Sequence, residues 1–316
     1  MLSNKLKQRF CKDNKLSIQL FNEPFFSDRL ELLGYKKEYE EFEKLIADRF
    51  NNSEQEYLEH YNKLKDTIID YIKSSKAFQL LNSDDMNKYK CSYNFKQSDV
   101  YKETNVGKRF ISIDMKKANF SSLIHYGNMN EAEFFDAYNW EEFMRQFTDI
   151  DYFTKSKYIR QVVFGNCNPK RQVTYEKFLM SVVLDRLISN QMISEKDVYS
   201  MCSDEIIIST EKLTAIQMFD IEAFIRANNI SEDLVPLHFE IFKVLKIQGT
   251  EAYIKQFEDN KLSIDTIKLK CVNPYELPVI YRYLKGETVK DSDLYFEFNG
   301  RVVKFIDIPE ISIIGE

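Results

Sequence analysis

From Lys36 to Leu81, apolar residues recur at spacings of three and four (Tyr39, Phe42, Leu45, Ile46; then Tyr57, Tyr61, Leu64, Ile68, Ile69, Ile72) among alternating acids and bases, which is the period of an amphipathic helix. Asn51-Asn52-Ser53 interrupts the pattern, so two helices in a hairpin are expected. A polar stretch from Asn82 to Asn105 closes a helical N-terminal region, 1–100, and opens a second region, 101–316. There the period shortens to two. Gly107-Lys-Arg-Phe-Ile-Ser-Ile-Asp114 places Phe110, Ser112 and Asp114 on one face of a strand and Ile111 and Ile113 on the other. Helices are expected over 118–126, 131–147 and 152–164, with Thr174 as N-cap of another running to about Ile188. Val198 to Thr210 reads as two short strands joined at Ser203-Asp204-Glu205. A helix over 214–227, a strand over 236–247 and a short helix over 251–258 follow. Asn299-Gly300 between alternating runs is a strong hairpin signal. The fold class is α+β, with no internal repeat.

Composition narrows the picture. Glycine and proline number 8 and 6 in 316 residues, so long uninterrupted helices are favoured. The length suits one large or two modest domains, and 44% hydrophobic residues with 25 Phe and 19 Tyr exclude wholesale disorder. No apolar run is long enough to span a membrane and the first residues lack the apolar stretch of a secretory signal, so a cytoplasmic protein is expected. The 5 cysteines are dispersed without a CxxC pair, which suits reduced thiols. With only His60, His125 and His238 besides, a zinc site of familiar spacing is excluded. Catalysis, if present, must rest on carboxylates, Lys, Arg, Tyr or Ser. The net charge is −6, yet Asp151 to Lys177 carries Lys155, Lys157, Arg160, Lys170, Arg171 and Lys177 against only Asp151 and Glu176. That segment is either a solvated helix face or a docking place for an anion.

Two acidic positions stand out: Asp114 at the end of an apolar strand, and Asp204 with Glu205 at the tip of an apolar hairpin. Each Asp could simply cap a turn. Brought together by neighbouring strands, however, the carboxylates would repel unless a cation lay between them. Hard cations such as Mg²⁺ take one or two carboxylates plus phosphate oxygens, which is the donor chemistry of two-metal phosphoryl and nucleotidyl transfer.

Three segments stand in order along the chain: Ile113-Asp-Met-Lys-Lys-Ala-Asn-Phe-Ser-Ser-Leu-Ile-His125, Lys157-Tyr-Ile-Arg-Gln-Val-Val-Phe-Gly165 and Cys202-Ser-Asp-Glu-Ile-Ile207. They resemble, respectively, motif A, the fingers motif B and motif C of family A DNA polymerases and single-subunit RNA polymerases. The resemblance covers about 100 residues, Ile111 to Ile208. It implies a palm-like antiparallel sheet with a helical fingers-like insertion at about 131–190. Asp114 and Asp204 would be the metal-binding pair, with Glu205 assisting and Mg²⁺ or Mn²⁺ as cofactor. Lys157, Arg160, Phe164 and Asn119 would meet the nucleotide, and a nucleic-acid primer or template and nucleoside triphosphates would be the partners. Phe164 is the aromatic singled out for base stacking from a large set that includes Phe25-Phe26, Phe134-Phe135 and Tyr281-Arg-Tyr283, most of it expected in the core.

The chain departs from the pattern in places. Ser203 stands where motif C usually has histidine, and Asn119 where the DNA enzymes have the glutamate that excludes ribonucleotides. Lys157 to Phe164-Gly165 is one residue shorter than in family A, closer to the family B spacing, with Gln161-Val162 in place of that family's Asn-Ser. There is no room for a proofreading domain and a full thumb, so the expectation is a minimal polymerase. A phage or other mobile element, in a bacterial host, is a compatible source for its Lys-, Asn- and Ile-rich composition. The rival expectation is a non-catalytic interaction or regulatory protein with a degenerate polymerase-like fold, binding a protein partner through the N-terminal helices. His125 is expected to be a satisfied core residue and Cys202 not to be a nucleophile.

Overall fold

The computed structural model describes residues 2–315 except 92, 96, 97, 133–136, 138, 232, 233, 258–261 and 309. Five helices come first: α1 (Asn4–Asn14), α2 (Phe25–Leu33), α3 (Lys36–Phe50), α4 (Glu54–Ser74) and α5 (Lys76–Ser83). Strand β1 (Arg109–Met115) precedes α6 (Ala118–Met129), α7 (Trp140–Arg145), α8 (Asp151–Lys155), α9 (Lys157–Gly165) and α10 (Pro169–Ser189). Then come β2 (Val198–Met201), β3 (Glu205–Ser209), α11 (Ala215–Ser231), β4 (Leu237–Gln248), β5 (Tyr253–Gln256) and β6 (Ile267–Lys270). Helix α12 (Leu277–Lys285) and strands β7 (Tyr295–Phe298), β8 (Arg301–Lys304) and β9 (Ser312–Ile314) complete the order. The fold is mixed α+β with antiparallel strand pairing. None of the described helices is long and apolar enough to cross a membrane.

Local chemistry explains most boundaries. The Lys36–Leu81 pattern forms α3, α4 and α5, the extra break falling at Ser75, whose side chain caps α5 by accepting from the Phe78 N–H. The basic segment expected as one helix over 152–164 is two, because Ser156 ends α8 and its hydroxyl accepts from the Ile159 N–H to start α9. The α10 helix begins five residues before the expected cap. Pro169 supplies the preset φ of a first helical residue, and Thr174 lies inside the helix with its hydroxyl on the Lys170 carbonyl. Within 131–147 the described helix is only α7, capped by Asn139; Phe134 and Phe135 lie outside the described residues. The helix expected over 251–258 is instead strand β5. All four of its residues are buried, so the alternation that would have marked a strand is absent; Glu258 lies outside the described residues. At the expected hairpin, Asn299 and Gly300 take φ 50° and 75°, the left-handed pair of a two-residue turn between β7 and β8.

The chain divides into two compact units, passing between them within α4, at the start of α8, and within α9 and β4. One comprises residues 1–65, 151–160 and 245–316. Its helical part is knitted by aromatic side chains: Phe10 meets Tyr39 edge-on at 5.1 Å and Phe42 meets Tyr152 at 4.9 Å between ring centroids. A buried ionic group ties α2 to the C-terminal part. The fully buried Asp293 carboxylate accepts from Arg29 Nη1 at 2.8 Å, from Arg282 Nε at 2.9 Å and from the Lys290 N–H at 2.8 Å. Leu245, Ile247, Ala252, Ile254, Ile267 and Ile280 form an apolar cluster under the C-terminal strands.

The other unit comprises residues 66–150 and 161–244. Its strands run in the order β2-β3-β1-β4, and Ile111, Ile113, Ile206 and Ile208 are wholly buried. Helix α6 packs on α5 and α10, and α10 also packs on β3. Phe120, Trp140 and Phe143 fill the space beside α6, with ring centroids 5.5 to 5.7 Å apart. Burial of so much aromatic surface is the main source of stability of such a unit.

Candidate functional site

The candidate site lies in the second unit, at one end of its sheet. In the β1–β3 ladder Asp114 stands directly opposite Glu205. The Met115 N–H donates to the Asp204 carbonyl at 2.8 Å, which makes 115 and 204 a hydrogen-bonded pair and 114 and 205 the narrow pair beside it, with Cα atoms about 4.5 Å apart. Directly opposed residues share a face, so the Asp114 and Glu205 carboxylates emerge side by side, where like charges are unfavourable. On its other flank β1 places Asp114 opposite His238 and Ser112 opposite Glu240. The face is therefore polar at this end and aromatic further along, where Phe110 packs on Phe242 at 5.8 Å and Tyr199 at 5.1 Å.

Glu205, Glu240 and Asp204 are each held by a neighbouring side chain. The buried Ser112 hydroxyl donates to Glu205 Oε1 at 2.6 Å. His238 Nε2 lies 2.9 Å from Glu240 Oε1. At the tip, the Cys202 N–H closes the Ser203-Asp204 turn on the Glu205 carbonyl at 2.9 Å. The Ser203 hydroxyl and Cys202 Sγ lie 3.2 Å and 3.4 Å from Asp204 Oδ1. Burial pushes the Cys202 thiol up to about 11, so it stays protonated at neutral pH and is a poor nucleophile.

A carboxyl outside the expected set joins this end. Glu176, on α10, is 2% exposed. Burial first, and then the Asp204 charge, push its carboxyl up to about 7, while Asn119 Nδ2, donating to Glu176 Oε1 at 3.1 Å, acts in the opposite direction. Asn119 itself is placed by a tight strand-to-helix connection in which Lys117 adopts the left-handed conformation, φ 52°, just before α6. One turn before Glu176, both amide atoms of the buried Gln172 have no hydrogen-bond partner.

The expected residues divide as follows. Asp114, Asp204 and Glu205 meet at the sheet end, and Asn119 is linked to them through Glu176. Phe164 is 1% exposed with its ring 6.0 Å from Trp140, so it stands in the core of this unit. Lys157 and Arg160 belong to the first unit, in the opening turn of α9, Lys157 exposed and Arg160 buried. His125 is half-buried, its Nδ1 2.9 Å from the Tyr175 hydroxyl and its pKa lowered by burial. Glu176 had a legible signal: it lies three, four and seven residues before Leu179, Met180 and Val183, a carboxylate on the apolar stripe of its helix.

Chemically, the end offers oxygen donors only, the kind that Mg²⁺ and Mn²⁺ prefer. Among the described residues no three His, Cys, Asp or Glu side chains are gathered as a metal cage. The opposed pair suits a cation that takes one or two protein carboxylates and completes its shell with water and phosphate oxygens. No family model matches the chain, and no curated protein and no solved structure matches it.

Proposed function

We propose that the chain is a metal-dependent nucleotidyltransferase of polymerase type, adding nucleotides to a 3′-hydroxyl, with the β1–β3 end as the palm-like active site. The observation that carries this reading is the register that sets Asp114 opposite Glu205 with Asp204 next to them in the turn. Asp114 and Asp204 would hold Mg²⁺ or Mn²⁺, Glu205 assisting, and the cation would neutralise charge developing on the phosphate and activate the attacking hydroxyl. The protein's own groups do the positioning. Ser112 fixes the Glu205 rotamer, Ser203 and Cys202 orient Asp204, and Asn119 with Glu176 buttress the opposite side. A primer or template strand and nucleoside triphosphates are the proposed partners.

The test is incorporation of labelled nucleotides with Mg²⁺ or Mn²⁺ by the intact chain and by Asp114→Ala and Asp204→Ala. Both variants should lose incorporation while still melting cooperatively; retained activity in both refutes the assignment. The interaction-protein reading predicts no rise in melting temperature with divalent cation and nucleotide together.

A further inference from the structure

Helix α11 turns an apolar face outward. Its inner face is fixed in the second unit: Ile221, Ile225 and Asn228 are buried, Asn228 Nδ2 donates to the Val235 carbonyl at 3.0 Å, and Gln217 Nε2 donates to the Met192 carbonyl at 3.2 Å. On the opposite side Ile216, Phe219 and Ile230 are 74%, 69% and 78% exposed, and Ala223 and Ala227 between them are exposed as well. A helix anchored on one side ordinarily shows polar and charged residues to water on the other. A contiguous exposed apolar stripe marks an interaction surface instead, and one held rigid from behind loses little freedom on docking.

The spacing of the stripe reads alike in both directions. Ile216, Phe219, Ala223, Ala227 and Ile230 are three, four, four and three residues apart, so a second copy of the helix, laid antiparallel about Ala223, meets it level by level. Ile216 of one copy stands level with Ile230 of the other, the large Phe219 with the small Ala227, and Ala223 with itself. Small side chains at the centre let the two axes come within about 8 to 10 Å. Charge fits too. At about 1.5 Å rise per residue, Arg226 of one copy lies about 3 Å along the axis from Glu222 of the other, on the same edge of the contact. Arg226 Nη2 already holds Glu222 Oε1 of its own helix at 2.8 Å, so the two ion pairs close into a group of four. The Asp220 side chains fall on the other edge, about 9 Å apart along the axis, beyond the Debye length of about 8 Å at physiological salt. With Asp220 and Glu222 against Arg226 as its charged residues, the helix is acidic on balance, which disfavours an anionic membrane or a nucleic acid as the occupant.

We infer that the outer face of α11 is the contact of a two-fold dimer of this chain, an antiparallel helix pair centred on Ala223. Such a contact is isologous, the same patch serving on both copies. It does not rest on the nucleotidyl-transfer reading, since no residue of the stripe belongs to the Asp114–Glu205 end. One helix pair buries less than the roughly 1,200 Å² of a standard interface, so the dimer forms and dissociates in the micromolar range.

The test is sedimentation equilibrium of the full chain from about 1 to about 500 μM, a range that brackets micromolar association. The parent should pass from monomer to dimer across it. Phe219→Glu should weaken the dimer at least about a hundredfold, because the symmetric contact loses two Phe side chains. Ile306→Glu, at a position 98% exposed but outside the stripe, should leave it unchanged. Oxidative crosslinking in a Cys271→Ser background, which removes the exposed native thiol, reads the geometry and decides the matter if Phe219→Glu loses helix content. Ala223→Cys should crosslink to itself. Ile216→Cys, about 21 Å along the axis from its own copy, should not, yet should crosslink to Ile230→Cys when the two proteins are mixed. The inference is overturned if the parent stays monomeric throughout, if a folded Phe219→Glu dimerises like the parent, or if Ile216→Cys crosslinks to itself as readily as Ala223→Cys. A monomer that binds phosphatidylcholine vesicles through Phe219 would overturn it as well.

Discussion

Glu176 offers a quantitative test of how the second unit is built. Its carboxyl is pushed from an ordinary 4.5 up to about 7, first by burial and then by Asp204. The folded state therefore holds a proton that the unfolded chain gives up near pH 4.5. The stability associated with that proton is fully present below pH 4.5 and is lost as pH rises through 7. At about 1.4 kcal/mol per pH unit between the two values, the ionised carboxylate costs about 3 kcal/mol above pH 7. Glu176→Gln keeps the shape and can still meet Asn119, so it removes the penalty without leaving a cavity. The two proteins should melt together near pH 4.5. By pH 8.5 the variant should be the more stable by up to about 3 kcal/mol, or about 6 to 12 °C in Tm for a unit of this size. Asp204→Asn removes the second cause only, so it should lower the pH at which Glu176 ionises while leaving it above 4.5. A Glu176→Gln difference that stays flat from pH 5 to pH 9 refutes the reasoning, because it means that Glu176 is neither desolvated nor coupled to Asp204.

Other expectations are simpler to check. Asp293→Ala leaves Arg29 and Arg282 buried without their shared carboxylate and should cost about 3 to 5 kcal/mol, read as the urea midpoint; a loss below about 1 kcal/mol contradicts the buried-network description. Tyr152→Phe removes the hydroxyl that donates to Asp13 and should cost about 1 to 2 kcal/mol by thermal melting while raising the Asp13 pKa still further. Mg²⁺ at about 100 times its Kd should stabilise the parent by roughly 2.7 kcal/mol; an equal shift in the Asp114→Asn, Asp204→Asn double variant places the cation elsewhere.

The strands and turns that carry the candidate site were legible in the sequence wherever a local pattern marked them. Strand β1 showed itself through period two, and the β2–β3 hairpin through a polar turn between apolar runs. Asn299-Gly300 marked the β7–β8 turn because few other residues accept two successive left-handed conformations. What escaped was decided by tertiary contact. Strand β5 is buried on both sides and so carries no alternation to distinguish it from a helix. The α10 start depended on Pro169, whose missing N–H ends one helix and begins another equally well. Phe164 followed an aromatic motif pattern, yet packing against Trp140 buries it. Glu176 stood out only as a carboxylate on the apolar stripe of its helix; burial first, and then the charge of Asp204, give it its unusual pKa, so its value could not be read before the chain was folded.

The most direct test of the central claim is primer extension by the purified chain with Mg²⁺ or Mn²⁺ and each labelled dNTP and NTP, with and without template, beside Asp204→Ala. The account predicts metal-dependent extension that disappears in the variant. A well-folded chain that extends no primer under any of these conditions, or a variant that extends as well as the parent, contradicts it.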